Sequence, residues 1–209
     1  IVYILNNFYN EGKLPSIPIY VDSPLAVNAT NIFRMHLDLF NKDVAEVLEH
    51  DDDPFGFGTL KYITNVNHSK ALNARKEPCI IISASGMMEA GRVKHHIANN
   101  IDNPKNSILA IGYCAPTTLG ARILRGEKEI SIHGMPHQVN AEIFSIDAFS
   151  GHADYQEMEQ YLRCQNPEKV KKVFIVHGDY EAQVPYSKVL EKAGFKDIVI
   201  PKPGETFKI

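Results

Sequence analysis

No apolar run in this sequence approaches the roughly 20 residues that cross a bilayer, so nothing in it reads as a membrane-spanning helix. Cysteine is scarce. Cys79, Cys114 and Cys164 stand far apart and form no C-x-x-C pair, which argues against a disulfide framework and makes a reducing cytoplasm the simplest setting. There is no excess of positive charge either. Lys and Arg number 22 against 25 Asp and Glu, a formal net charge of −3. A dedicated nucleic-acid binder is usually basic, so this balance weighs against one while leaving room for a local basic groove. Internal repeats, low-complexity tracts and a basic leader segment are all missing, and so is an initiator Met. The chain opens inside a helical pattern, with Ile1, Ile4, Leu5 and Phe8 on one face. That pattern predicts a piece of a longer protein.

What is present is ordinary globular composition, 44% hydrophobic and 22% charged over 209 residues, enough for one large domain or two small ones. Short apolar strands alternate with helices: a strand over 17–21, a helix from Pro24 with Ser23 as N-cap, a weak strand at 62–64, a helix over 69–75 and the β-branched strand 79–83. A helix over 92–100, a strand over 107–112 and a helix over 119–125 follow. This order predicts βαβ units and a parallel sheet. After Gly126 the segments 129–133 and 138–146 alternate like antiparallel strands, then a helix from Asp154, a strand at 173–176, a helix over 181–192 and a strand at 198–200 complete the chain. A boundary is placed near Lys128. The acidic stretch Asp51-Asp52-Asp53 is expected to be a solvated loop.

Four segments fall where an apolar strand gives way to a helix, the end of an α/β sheet at which ligands bind. Val21-Asp22-Ser23-Pro24 is one such candidate, and its plain reading is a helix cap. Ser83-Ala84-Ser85-Gly86-Met87-Met88, followed by Gly91-Arg92, is small enough to let backbone approach an anion, with Arg92 adding a charge; the plain alternative is a strand-to-helix turn. In Gly112-Tyr113-Cys114-Ala115 the thiol reads as buried, since no His or basic residue lies near it in sequence. The fourth element is a pair, His152 in Phe149-Ser150-Gly151-His152-Ala153-Asp154-Tyr155 and His177 in Val176-His177-Gly178-Asp179. Each follows a strand, adjoins Gly and precedes an Asp by two positions. Imidazole serves as zinc ligand or general acid. These two do not complete a zinc site, and no H-x-H-x-D-H run is present. His95 and His96 are read as lying on a helix surface, and His36, His50, His68, His133 and His137 as structural or exposed.

The order V-D-S-P-L-A, S-A-S-G-M-M with G-R-V-K-H-H, G-Y-C-A, F-S-G-H-A-D-Y and V-H-G-D closely resembles the β-CASP ribonucleases of the metallo-β-lactamase superfamily, over nearly the whole chain. The resemblance implies an α/β fold: a Rossmann-like parallel-sheet cap over residues 1–128, and over 129–209 the returning segment of the metallo-β-lactamase (αββα) fold, an RNA-specificity region. It implies hydrolysis of RNA phosphodiester bonds with two zinc ions in the full-length protein, His177 as a metal ligand and His152 as the proton-handling catalytic histidine. Ser85, Gly86, Met87 and Arg92 would hold the RNA backbone, with Asp22 and Asp154 in support. Single-stranded RNA is the partner implied, with a homodimer as a candidate assembly and no membrane. The family's remaining metal ligands lie upstream of Ile1, so this chain by itself is expected to be inactive. Two departures stand out: Thr117 where Gly is usual, and Asp179 where the family has Glu. The alternative is a non-catalytic RNA-binding or scaffolding paralogue, against which the presence of both His152 and His177 weighs. An unrelated phosphate-binding enzyme would need a complete site of its own, and none is legible.

Overall fold

Ser23 adopts an extended backbone, and its hydroxyl oxygen accepts from the Ala26 N–H at 3.3 Å. Pro24 then opens helix α2 (Pro24–Met35) at the position where a missing N–H costs nothing. The same local chemistry starts three further helices before residue 125. Asn41 caps α3 (Lys42–Leu48), Asn65 caps α4 (Val66–Asn73) and Thr118 caps α6 (Leu119–Leu124), each through a side-chain oxygen that satisfies an otherwise unpaired N–H. Helix α1 (Val2–Asn10) precedes them, and α5 (Arg92–Asn100) lies between α4 and α6.

The computed structural model describes residues 1–149 and 151–208, which divide into two compact units, Ile1–Phe149 and Ser150–Ile209. In the first unit β1 (Ile19–Val21) lies between β2 (Leu60–Tyr62) and β3 (Ile80–Ile82), parallel to both, with Ile19 opposite Leu60 and Ile80. All three residues of β1 are buried, as expected for a central strand of a sheet covered on both faces. A second parallel pair joins β4 (Ser107–Ile111) to β7 (Glu142–Ile146). Between them in sequence is an antiparallel hairpin, β5 (Glu129–Ile132) and β6 (Met135–Gln138). Its two-residue turn, His133-Gly134, has φ of 52° and 80°, the mirror-image turn geometry that matches strand twist. The fold is therefore α/β with parallel sheets. A core of Ile97, Ile101, Ala110, Ile123, Ile130 and Ile132 binds α5, β4, α6 and the hairpin together. Each fully buried Ile contributes about 1.5–3 kcal/mol, so the hairpin is fastened to the unit that precedes it, and tight packing continues past Lys128 to Phe149.

The second unit contains α7 (Tyr155–Leu162), then β8 (Val173–Phe174), α8 (Tyr180–Lys192) and β9 (Ile198–Val199). The last three form a βαβ unit with parallel strands, closed over Ile175, Leu190 and Phe195.

Two expectations are corrected. Segment 138–146 is not one antiparallel strand: β6 ends at Gln138, and β7 begins at Glu142 and runs parallel to β4. The break is made by Asn140 and Ala141, whose N–H groups both donate to the Ile101 carbonyl, at 3.0 and 2.9 Å. Nor is the acidic stretch simply solvated. Asp51 Oδ2 accepts from Asn6 Nδ2 at 2.5 Å and from Asn10 Nδ2 at 2.8 Å, tying α1 down. Asp53 receives a two-pronged contact from Arg34, at 2.9 and 2.8 Å.

Candidate functional site

At the carboxyl end of β1 the chain places Asp22, fully buried. Its Oδ1 accepts from Arg92 Nη1 at 2.5 Å, and its Oδ2 accepts from Ser69 Oγ at 2.5 Å and lies 2.6 Å from His96 Nε2. The other His96 nitrogen, Nδ1, is 2.7 Å from Asn73 Oδ1. Arg92 also donates to the carbonyls of Ile63 and Thr64, at 3.2 and 2.5 Å. Burial alone pushes the Asp22 carboxyl up, but the hydrogen bonds from Ser69, His96 and Arg92, with the Arg92 charge, outweigh it and hold the group below the ordinary carboxylate range. Asp22 thus joins β1, α4 and α5 at one point. Arg92, read from sequence as a phosphate contact, turns its guanidinium inward onto this carboxylate. His96, read as lying on a helix surface, is buried: positions 92 and 96 are one helical turn apart and share the inner face of α5, while His95 faces out and stacks on His133, ring centroids 4.5 Å apart.

Immediately before α5 runs the loop that carries Ser85, Gly86 and Met87. Gly86 and Met87 are exposed and Ser85 is half-buried. The loop closes on itself through Ser85 N–H to Ala90 O, 3.2 Å, and Met88 N–H to Ser85 O, 3.1 Å, while Met88 is buried beneath it. Gly91 has φ 80° and a Cβ there would lie 2.5 Å from the Ala84 carbonyl oxygen, so only glycine lets the loop return to the start of the helix. The Ala84 carbonyl accepts from Val93 N–H at 3.2 Å, which occupies one of the helix N-terminal donors. The loop after β4 and the first turn of α6 back this arrangement: Gly120 N–H donates to Met87 O at 3.1 Å, and Cys114 Sγ to Gly86 O at 3.5 Å. Burial, and then Asp147, push the Cys114 thiol up, in line with an unreactive thiol. Tyr113 projects from this loop, 65% exposed.

In the second unit His152 and His177 are both exposed and both lie in connecting loops, His152 ahead of α7 and His177 between β8 and α8. Asp154 caps α7: its Oδ1 accepts from the N–H groups of Gln156 and Glu157 at 2.8 and 2.9 Å, while Glu157 Oε2 accepts from Asp154 N–H at 3.0 Å, a reciprocal capping box. This fixes the chain two residues after His152. Ser150, in the same motif, lies outside the described residues. His177 follows β8 with φ 67° and Gly178 with φ 98°. Gln183 Nε2 donates to the His177 carbonyl at 3.1 Å, tying this left-handed turn to α8. Left-handed backbone at a non-glycine residue is uncommon and gathers at functional positions. Among the described residues no three or more His, Cys, Asp or Glu side chains gather where a metal ion would sit. The described residues therefore do not make a zinc site by themselves.

Comparison with known proteins accounts for the order of these elements. The family profile described as Beta-Casp domain matches residues 1–123. The chain belongs to the β-CASP family. A second profile, described as the Zn-dependent metallo-hydrolase RNA specificity domain, matches residues 136–201, which contain both His152 and His177. Ribonuclease TTHA0252 of Thermus thermophilus is 29% identical over 206 residues, covering 98% of this chain and 46% of the relative. An RNase J-like protein of Methanocaldococcus jannaschii is 31% identical over 209 residues, covering 100% and 47%. Transcription termination factor FttA of Methanosarcina mazei is 29% identical over 190 residues, covering 88% and 30%. The chain spans less than half the length of these relatives. Within this β-CASP chain, sequence reasoning had named Asp22 and Arg92 but missed their partners Ser69 and His96. The available signal was the 92/96 spacing on one helix face.

Proposed function

We propose that this β-CASP chain is the RNA-holding cap and C-terminal part of a zinc-dependent ribonuclease that hydrolyses RNA phosphodiester bonds. The observation that carries the reading is the succession of two family matches, the second named for RNA specificity and for zinc-dependent hydrolysis. In this reading the cap runs to about Lys128 and the returning segment follows it. Single-stranded RNA is held through its backbone at the Ser85-Gly86-Met87 loop, whose closure leaves Gly86 and the unbranched Met87 outermost; such contacts position a strand without reading its bases. Arg92 and Asp22 serve that loop from behind, by fixing the start of α5. His177 supplies one imidazole to a zinc site completed by residues outside this chain, two ions in all, and the metal's chemistry is activation of water and neutralisation of phosphoryl charge. His152 hands a proton to the leaving oxygen, with Asp154 fixing its place in the chain. The setting is a reducing cytoplasm, and the assembly a homodimer.

The test is a pair of assays on one labelled single-stranded oligoribonucleotide. This chain alone is expected to bind it, with affinity falling as salt rises, and to leave it intact with zinc added, whereas the full-length protein cleaves it. Cleavage by this chain at the full-length rate would overturn the assignment.

A further inference from the structure

From Leu60 to Lys76 the chain carries Lys61, Lys70, Arg75 and Lys76 and not one Asp or Glu, in a protein whose net charge is −3. This basic segment folds as β2, the edge strand of its sheet, and α4, and between them opens a cleft of about 550 Å³, a volume typical of small-ligand sites. Tyr20 and Leu72, each less than a tenth exposed, are among its apolar lining, and Ala71 on α4 contributes only a methyl group. Lys61, His68 and Arg75 are among the polar groups that line it. The Arg75 guanidinium lies over the Tyr20 ring, 5.9 Å from its centroid, presenting a flat cationic surface. Its acidic neighbour Glu77 is 3.6 Å away and 70% exposed. A pair that long and that wet is weak, so a phosphate can replace it.

An aromatic ring under a guanidinium plane, with an exposed lysine lining the same cleft, matches a base joined to a phosphate. We propose that this cleft is a nucleotide-binding site, separate from the Ser85-Gly86-Met87 loop, taking a base against Tyr20, Leu72 and the Arg75 plane and a phosphate between Lys61, His68 and Arg75. An acidic peptide would use the cations but leave the planar surfaces without a partner. The nucleotide comes either from a ribonucleotide strand or from a free mononucleotide, and the two are separable by experiment.

The probes are a labelled single-stranded oligoadenylate, followed by anisotropy, and adenosine 5′-monophosphate, followed by calorimetry and by competition with the oligomer. The double variant Lys61→Gln/Arg75→Gln removes both charges and leaves a polar side chain at each position, and its melting curve checks that the fold is kept. With two phosphate contacts removed, oligomer affinity is expected to fall about tenfold, and the log–log salt dependence to become shallower by about 1.4. The single variant Lys61→Arg, which keeps both charges and the Arg75 plane, should bind as the parent does. Monophosphate binding that is lost in the same double variant assigns the site to free nucleotide; oligomer binding alone assigns it to a strand. Equal affinity and salt slope in parent and double variant, or no binding of either probe by the parent, overturns the proposal. Met87→Ala run alongside separates this cleft from the loop: a loss there, with none in the double variant, would sink the cleft and leave the loop's role standing.

Discussion

Replacing Asp22 by asparagine keeps the side chain's shape and removes its charge. The carboxylate is fully buried and meets Arg92 at 2.5 Å, Ser69 at 2.5 Å and His96 at 2.6 Å. An amide offers one acceptor oxygen to these groups and turns an N–H₂ toward the rest. Removing one member of a buried ion pair costs about 3–5 kcal/mol. The lower end applies here, because Arg92 is 17% exposed and keeps the carbonyls of Ile63 and Thr64. A loss of about 3 kcal/mol lowers the melting temperature by about 6–12 °C in a unit of this size. Acid supplies a second check. A carboxyl held below its ordinary value contributes stability that is complete above the unfolded value, near pH 4, and is lost as pH falls through the folded one. The gap between parent and Asp22→Asn should therefore be full at pH 7 and close as the pH is taken below about 4. Differential scanning calorimetry across that range reads both effects. An unchanged or raised melting temperature at pH 7 would refute the view that Asp22 is a structural tie, and would favour an acid poised for chemistry at the expense of stability.

Other consequences follow from single contacts. Gly91→Ala sets a Cβ against the Ala84 carbonyl at a residue of φ 80°; it should destabilise by more than 1 kcal/mol and weaken oligoribonucleotide binding, both read by melting and anisotropy on one preparation. Asp154→Ala removes both side-chain bonds of the α7 cap and should cost about 1 kcal/mol, seen as faster amide exchange at Gln156 and Glu157. Ser69→Ala deletes one hydrogen bond to Asp22 and should cost about 1–3 kcal/mol, less than Asp22→Asn in the same melt.

Much of this was legible in the primary structure, and the failures have physical causes. The Ile-rich run at 80–82, the Ser23 cap and the alternation of strands with helices announced parallel α/β units because each is a local signal. Strand direction is not local: Glu142–Ile146 reads as a strand from its residues, and only its pairing with Ser107–Ile111 reveals that it runs parallel. His96 misled because two adjacent histidines look like a polar surface, whereas the buried charge of Asp22, distant in sequence, draws one of them inward. Asp51 and Asp53 misled similarly, their partners Asn6, Asn10 and Arg34 lying on helices earlier in the chain. The loop residues Ser85 to Met87 and the two histidines His152 and His177 were visible as motifs, but the left-handed backbone of His177 and the return at Gly91 belong to three-dimensional structure alone.

The most direct test of the proposed roles compares two variants of the full-length protein, with zinc content and RNA cleavage measured on the same samples. His177→Ala should lower bound zinc and cleavage together. His152→Ala should retain most of the zinc while cleavage falls by about 10²–10⁴-fold, the range lost with a general acid. Zinc loss in His152→Ala with full zinc in His177→Ala would contradict the assignment of both histidines.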